Sequence, residues 1–160
     1  MGEPMRCLST KQPWIGAIIL RDKRTENRGW AAPPWIIGHD IALHASRKPD
    51  WDAPLYAWTA ARLYPPWMAG ITQARWCKDS AAVLGAVLAV AAIAGCHHAS
   101  SASECRCDQW AAAGQYHWIL DGVRPLAEPV QCGGALKLWP LPEDVEKLVR
   151  AQLGEGAEHG

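Results

Sequence analysis

The sequence predicts a mixed α+β fold: a mixed sheet, open or closed into a small barrel, with helices flanking it. Three observations lead there. Stretches such as "IALHA" alternate as half-buried strands do, while "PWIGAIIL" and "PEDVEKLVRAQL" carry helical signals. The strands are also separated by helical excursions of unequal length, which argues against a regular doubly wound architecture. A chain of 160 residues suffices for one domain with its own core, taken as 1–153, with "GEGAEHG" (154–160) as a disordered tail.

Taken in order, a short entry strand covers Cys7 to Thr10. Pro13 then suits the first turn of a helix, where its missing N–H is harmless, and Trp14 to Leu20 continue it. Arg21 to Arg24 place positive charge at the helix end. "TENRGW" reads as a strand with Glu26, Arg28 and Trp30 on one face. In "GHDIALHAS" (38–46), Ile41, Leu43 and Ala45 point one way and Asp40, His44 and Ser46 the other, giving a strand with a polar side. A helix is expected from near Asp52 to just before Pro65, since the residue preceding proline disfavours the α region. "AAVLGAVLAVAAIAG" (81–95) reads as a buried strand, residues 96–115 as a loop, and "YHWILDGV" and "GGALKLWPLP" as strands. The final helix opens with proline and acids.

Sixteen basic and sixteen acidic residues cancel, so no global field draws the protein to nucleic acid, and any such contact must be a local patch. The uncharged run 81–95 is shorter than the roughly 20 residues that span a bilayer, so no membrane partner is expected. "MGEPMRCLST" lacks the apolar stretch of a secretory signal, which predicts a cytoplasmic protein with reduced cysteines. Ten tryptophans without a phenylalanine read chiefly as packing, Trp118 and Trp139 included.

The ordered set "LSTKQPW", "KRTENRGW", "IALHAS" and "YHWILDGVRPLAEPVQCGGALKLW", spanning Cys7 to Trp139, resembles an ASCH domain, a member of the PUA-like superfamily. The resemblance implies a PUA-like small β-barrel with flanking helices and a cleft that binds RNA or a nucleobase-like ligand. Lys23, Glu26 and Arg28 match the family's Lys-then-Glu-x-Arg motif and by resemblance face that cleft. Lys and Arg suit a phosphate or carbonyl oxygen, and Glu suits an exocyclic amine or ring N–H. Trp14 or Trp30 could stack on a base, a contact worth about 1–3 kcal/mol. Ser9 and Gln12 enter through their place in "LSTKQPW", and His44 and Ser46 through the polar parity of their strand. Lys11, Arg21, Lys23, Arg24 and Arg28 are the cations expected at the mouth. Two alternatives stay open. Glu26 and Arg28 could form only a surface ion pair, worth about 0–1 kcal/mol, and Trp14 could be core.

Relatives that hydrolyse acylated cytidine imply a Lys, a Thr two positions before the motif Arg, and a Glu on a later strand. Here Lys23 is present, but Glu26 holds the Thr position, Thr25 is of opposite parity, and 81–95 carries no carboxylate. A binding module is therefore expected first, and a hydrolase or ribonuclease using Lys23 or His44 as base second.

"CHHASSASECRC" (96–107) is a separate constellation. Cys96, His97 or its neighbour His98, Cys105 and Cys107 supply enough ligands of the right softness for a structural, tetrahedral zinc site. Cys7, Cys77 and Cys132 read as ordinary buried or half-buried residues.

Overall fold

The computed structural model describes residues 2–100 and 107–155. Its frame is a six-stranded mixed sheet made of β1 (Arg6–Thr10), β2 (Thr25–Arg28), β3 (Asp40–Ala45), β4 (Ala86–Ala99), β5 (Gln115–Gln131) and β6 (Leu138–Pro140). The strand order is β2-β5-β4-β3-β1-β6, with β1 parallel to β3 and the other pairs antiparallel. Among the described residues the ladder does not close on itself. Four helices accompany it: α1 (Trp14–Leu20), α2 (Leu55–Ala60), α3 (Gln73–Asp79) and α4 (Glu143–Gln152). None of these is long and apolar enough to cross a membrane.

The sheet is covered on both faces. One core gathers Leu8, Ile41, Leu43, Ile93 and Trp118 under Ile15 and Ile18 of α1. The other gathers Cys7, Ala42, Val90 and Trp139 under Val145 and Val149 of α4. Each Leu or Ile fully removed from water contributes about 1.5–3 kcal/mol, so β1 and β3, wedged between two apolar layers, are firmly held. Double cover also corrects the expected polar side of β3: His44 is 1% exposed and packs edge-on against Trp139. Only Asp40, at the strand's start, is solvated there, paired with Arg124 at 2.5 Å.

Local signals set most element ends. Pro13 stands at the N-cap of α1, just before its first turn, and the Gln12 side-chain carbonyl accepts from the Gly16 N–H at 3.1 Å. Arg24 closes the other end by donating to the Ile18 carbonyl at 2.9 Å. The excursion after β3 differs from expectation. α2 stops at Ala60, and Arg62 turns into the left-handed region (φ 56°) well before Pro65. α3, absent from the sequence reading, starts at a Thr72 hydroxyl that accepts from Arg75 N–H at 3.3 Å. The two helices enclose a small core of Trp58 and Trp76, backed by Trp51. Cys77, on α3, is exposed rather than half-buried.

β5 overruns its expected limits at both ends, whereas β4 begins at Ala86, inside the expected 81–95, and overruns only at its end. Register shifts at three places let these long strands bend, and Cys96 to Ala99, expected in a loop, belong to β4. "TENRGW" pairs only through Arg28, and Trp30 leaves the strand to pack on Trp118 with centroids 4.7 Å apart. At the C-terminus, Glu155 pairs with Arg150 (2.6 Å) and Arg124 (3.4 Å), so described contacts continue past residue 153. Residues 156–160 of the expected tail lie outside the described residues.

Candidate functional site

A cleft of about 610 Å³ opens where β1, β2 and β3 end beside the 134–137 segment. Ser9, Trp14, Glu26, Arg28, His44 and Ser46 line it, joined by Thr10 and five cations in all: Lys11, Arg28, Arg47, Lys48 and Lys137. Glu26 is its one carboxylate. A neutral chain thus concentrates positive charge in one concavity.

At the floor, three charges of the predicted motif are arranged in series. Lys23 is 2% exposed, and its ammonium donates to Glu26 Oε2 at 3.1 Å and to the Thr25 carbonyl at 2.5 Å. Glu26 Oε1 lies 3.3 Å from Arg28 Nη2. Arg28 in turn donates to the Ser9 carbonyl (2.6 Å) and the Thr10 hydroxyl (3.1 Å). β2 and β1 are four places apart in the sheet, so the sheet curls until one guanidinium spans its two sides. The Arg28 Nε is buried with no hydrogen-bond partner among the described residues.

Beside it, Ser9 Oγ lies 3.1 Å from His44 Nδ1, while His44 Nε2 lies 2.9 Å from the Cys132 carbonyl. A carbonyl can only accept, so Nε2 carries the proton and Nδ1 accepts from the serine. Burial lowers the His44 pKa below its ordinary value; Arg47 adds to this, while the Cys132 carbonyl pulls the other way. The Trp139 indole N–H donates to the same serine oxygen at 3.2 Å. Gly134 lies close over the pair, and a Cβ there would come within 2.8 Å of His44 Cε1 and 2.9 Å of Ser9 Oγ.

Other expected residues stand elsewhere. Gln12 is buried and engaged by Gly16 and Val83, outside the lining. Trp30 packs on Trp118, with only the Lys137 ammonium over its ring at 5.8 Å. Lys23 lies behind Glu26, and Arg24 is turned to α1 carbonyls, so neither supplies the mouth with charge. Arg21 borders a different cavity with Tyr56 and Trp110. Arg47, Lys48 and Lys137 replace them: Arg47 and Lys48 lie in a connection without periodicity, and Lys137 falls in the expected strand "GGALKLWPLP" but stands in the bend before β6. Trp14 lines the cleft, packs partly buried against the neighbouring core clusters, and is anchored by donating to Asp50 Oδ2 at 2.8 Å.

The second constellation assembles differently from its sequence reading. His97 Nε2, Cys107 Sγ and His117 Nδ1 lie within 4.8 Å of one another and could hold a metal ion. Adjacent strand residues face opposite ways, so Cys96 points from His97 into the core, accepting from Ala32 N–H at 3.4 Å. His98 packs on Tyr116. Cys105 lies outside the described residues. His117, the member of the cluster that the sequence did not suggest, is the cross-strand partner of His97. Reading Cys96–Ala99 as strand, antiparallel to "QYHW", would have found it.

The donor separations are 3.2 Å between the two nitrogens and 3.1 and 3.7 Å from them to sulfur. Tetrahedral zinc with ordinary bond lengths requires about 3.3 Å between nitrogens and about 3.6 Å from nitrogen to sulfur. His117 Nε2 donates to the Ala112 carbonyl at 2.6 Å, which leaves Nδ1 with its lone pair toward the other donors.

No family model and no curated protein matches this chain.

Proposed function

We propose that the protein is an ASCH-domain member of the PUA-like superfamily that binds RNA or a modified nucleoside in the cationic cleft. The carrying observation is Arg28: its guanidinium is fixed by Glu26, Ser9 and Thr10 in a cleft lined by four further cations. A guanidinium held in place in this way is ready to pair with a ligand carbonyl or phosphate oxygen. Trp14 offers a ring for a base, and Lys11, Arg47 and Lys48 offer charge for a phosphate. On this reading the curled sheet is a small barrel completed by the Arg28 side chain, and the protein works in the cytoplasm with its thiols reduced.

The test is equilibrium binding of a nucleoside panel and a single-stranded RNA oligomer to the native protein and to Arg28→Ala. Binding by the native protein that the variant loses supports the reading; equal binding by both overturns it. The Ser9–His44–Cys132 chain favours a second reading, a hydrolase in which His44 takes the serine proton. Conversion of acetylated cytidine, followed by chromatography and lost in Ser9→Ala, would establish that reading over simple binding.

We infer further that the ion suited to the His97–Cys107–His117 donors is zinc in a structural role, since two imidazoles and a thiolate match its softness and two of the three donor separations match its tetrahedral spacing, the His97–Cys107 pair lying closer.

A further inference from the structure

Between the ends of the metal cluster runs a closed circuit of hydrogen bonds. Next to Cys107, Asp108 accepts from the Arg24 N–H at 2.8 Å and from the Trp110 N–H at 3.0 Å. Asn27, on β2, donates to the Trp110 carbonyl at 2.8 Å and accepts from the Ala112 N–H at 2.9 Å. The Ala112 carbonyl then receives the His117 Nε2 proton, which returns the circuit to the cluster. Residues 107–112 have no helix or strand of their own, so these bonds and the cluster set their place.

Trp110 is what that segment delivers. It is 7% exposed and meets Trp14 edge-on at 6.4 Å. Trp14 is the aromatic wall of the cleft, and Lys23 of the floor triad lies 5.9 Å from its ring. The cluster and the cleft are therefore joined by packed, hydrogen-bonded groups through Trp110 and Asn27, the latter one residue from Arg28 and one from Glu26.

Resting on the zinc reading above, we propose that the ion at His97, Cys107 and His117 is an effector of the cleft: by pinning residues 107–112 it seats Trp110 behind Trp14. The metal-loaded protein is then the form that binds ligand. An ion that closes a loop stabilises the conformation in which its ligands converge, and any second ligand favouring that conformation binds tighter.

The experiment uses the full chain labelled with 5-fluorotryptophan, stripped by a chelator and titrated with zinc chloride, the resonances being assigned through single Trp→Phe variants. One zinc per chain is expected, with the Trp14 and Trp110 resonances moving together and saturating at one equivalent while those of exposed Trp35 and Trp67 stay still. His97→Ala, at an exposed position, should abolish the response. A single-stranded RNA oligomer should bind the loaded form about 5-fold or more tighter, the lower end of ordinary coupling between sites. If no zinc binds, the zinc reading fails and the proposal with it. If one zinc binds while Trp14 stays still, the proposal is overturned and the zinc reading stands. RNA that binds neither form counts against the cleft assignment alone, because the tryptophan resonances still decide the coupling.

Discussion

The Lys23 ammonium, sealed from solvent, stands 3.1 Å from Glu26 Oε2, while the opposite oxygen of that carboxylate lies 3.3 Å from Arg28. Glu26 therefore carries two cations, and Lys23 stands behind it rather than in the cleft lining. Glu26→Gln leaves Lys23 buried without its counter-charge and should cost about 3–5 kcal/mol. Lys23→Met combined with Glu26→Gln should recover much of that loss. Urea unfolding of the single and double variants checks this; equal midpoints for native protein and Glu26→Gln would show that the pair contributes nothing.

Arg28 has a structural load as well as a binding one. Removing its charge-assisted bonds to Ser9 and Thr10 should cost about 1.5–3 kcal/mol per such bond at most, without unfolding the domain. Arg28→Lys should restore part of the stability but not ligand binding, because an ammonium cannot reproduce the planar fork. Thermal melts read beside binding isotherms separate the two roles.

His44 makes stability depend on pH. Its folded pKa lies below the ordinary 6.5, chiefly because burial disfavours the imidazolium. As pH falls through 6.5 the unfolded chain takes up the proton first, so stability is full above that value and declines until the folded pKa is passed. His44→Gln should flatten this decline in melting temperature between neutral and mildly acidic pH. A variant whose acid-side slope matches that of the native protein would sink the assignment.

Gly134 is required by contact, not by backbone conformation. Its added Cβ in Gly134→Ala would press on His44 and Ser9, at an overpacking cost of typically about 1–3 kcal/mol. The Ser9–His44 hydrogen bond should loosen, visible as a shift of the His44 ring resonances in NMR. Unchanged resonances would mean that the 133–137 segment yields freely.

Salt dependence should distinguish a pocket from a backbone grip. The cleft presents five cations, one of them already shared with Glu26. Single-stranded RNA should thus bind with a log–log salt slope no steeper than about −3, against about −10 for a many-contact DNA binder. A nucleoside should show almost none. A steep slope for RNA with no nucleoside affinity would mean that the protein holds phosphates only.

The sequence by itself determined which residues could form strands and helices, because alternation, proline and terminal charge are local signals. β1, α1, β3 and α4 follow from them, and so does the nearness of Glu26 and Arg28, two residues apart on one strand. Periodicity says which residues share a face but not what covers that face. His44 has the parity of a polar side, and only the Trp139 and Gly134 layers made it buried. Lys23 has the look of a solvated cation until the fold encloses it against Glu26. The cluster that could hold a metal needed tertiary structure most: His97 and His117 lie twenty residues apart, and the β4–β5 register, shifted by its bulges, decided that they face each other while Cys96 turns to the core. Each of these depends on long-range pairing, whose register is set by how two apolar faces are buried together and not by any short stretch of chain.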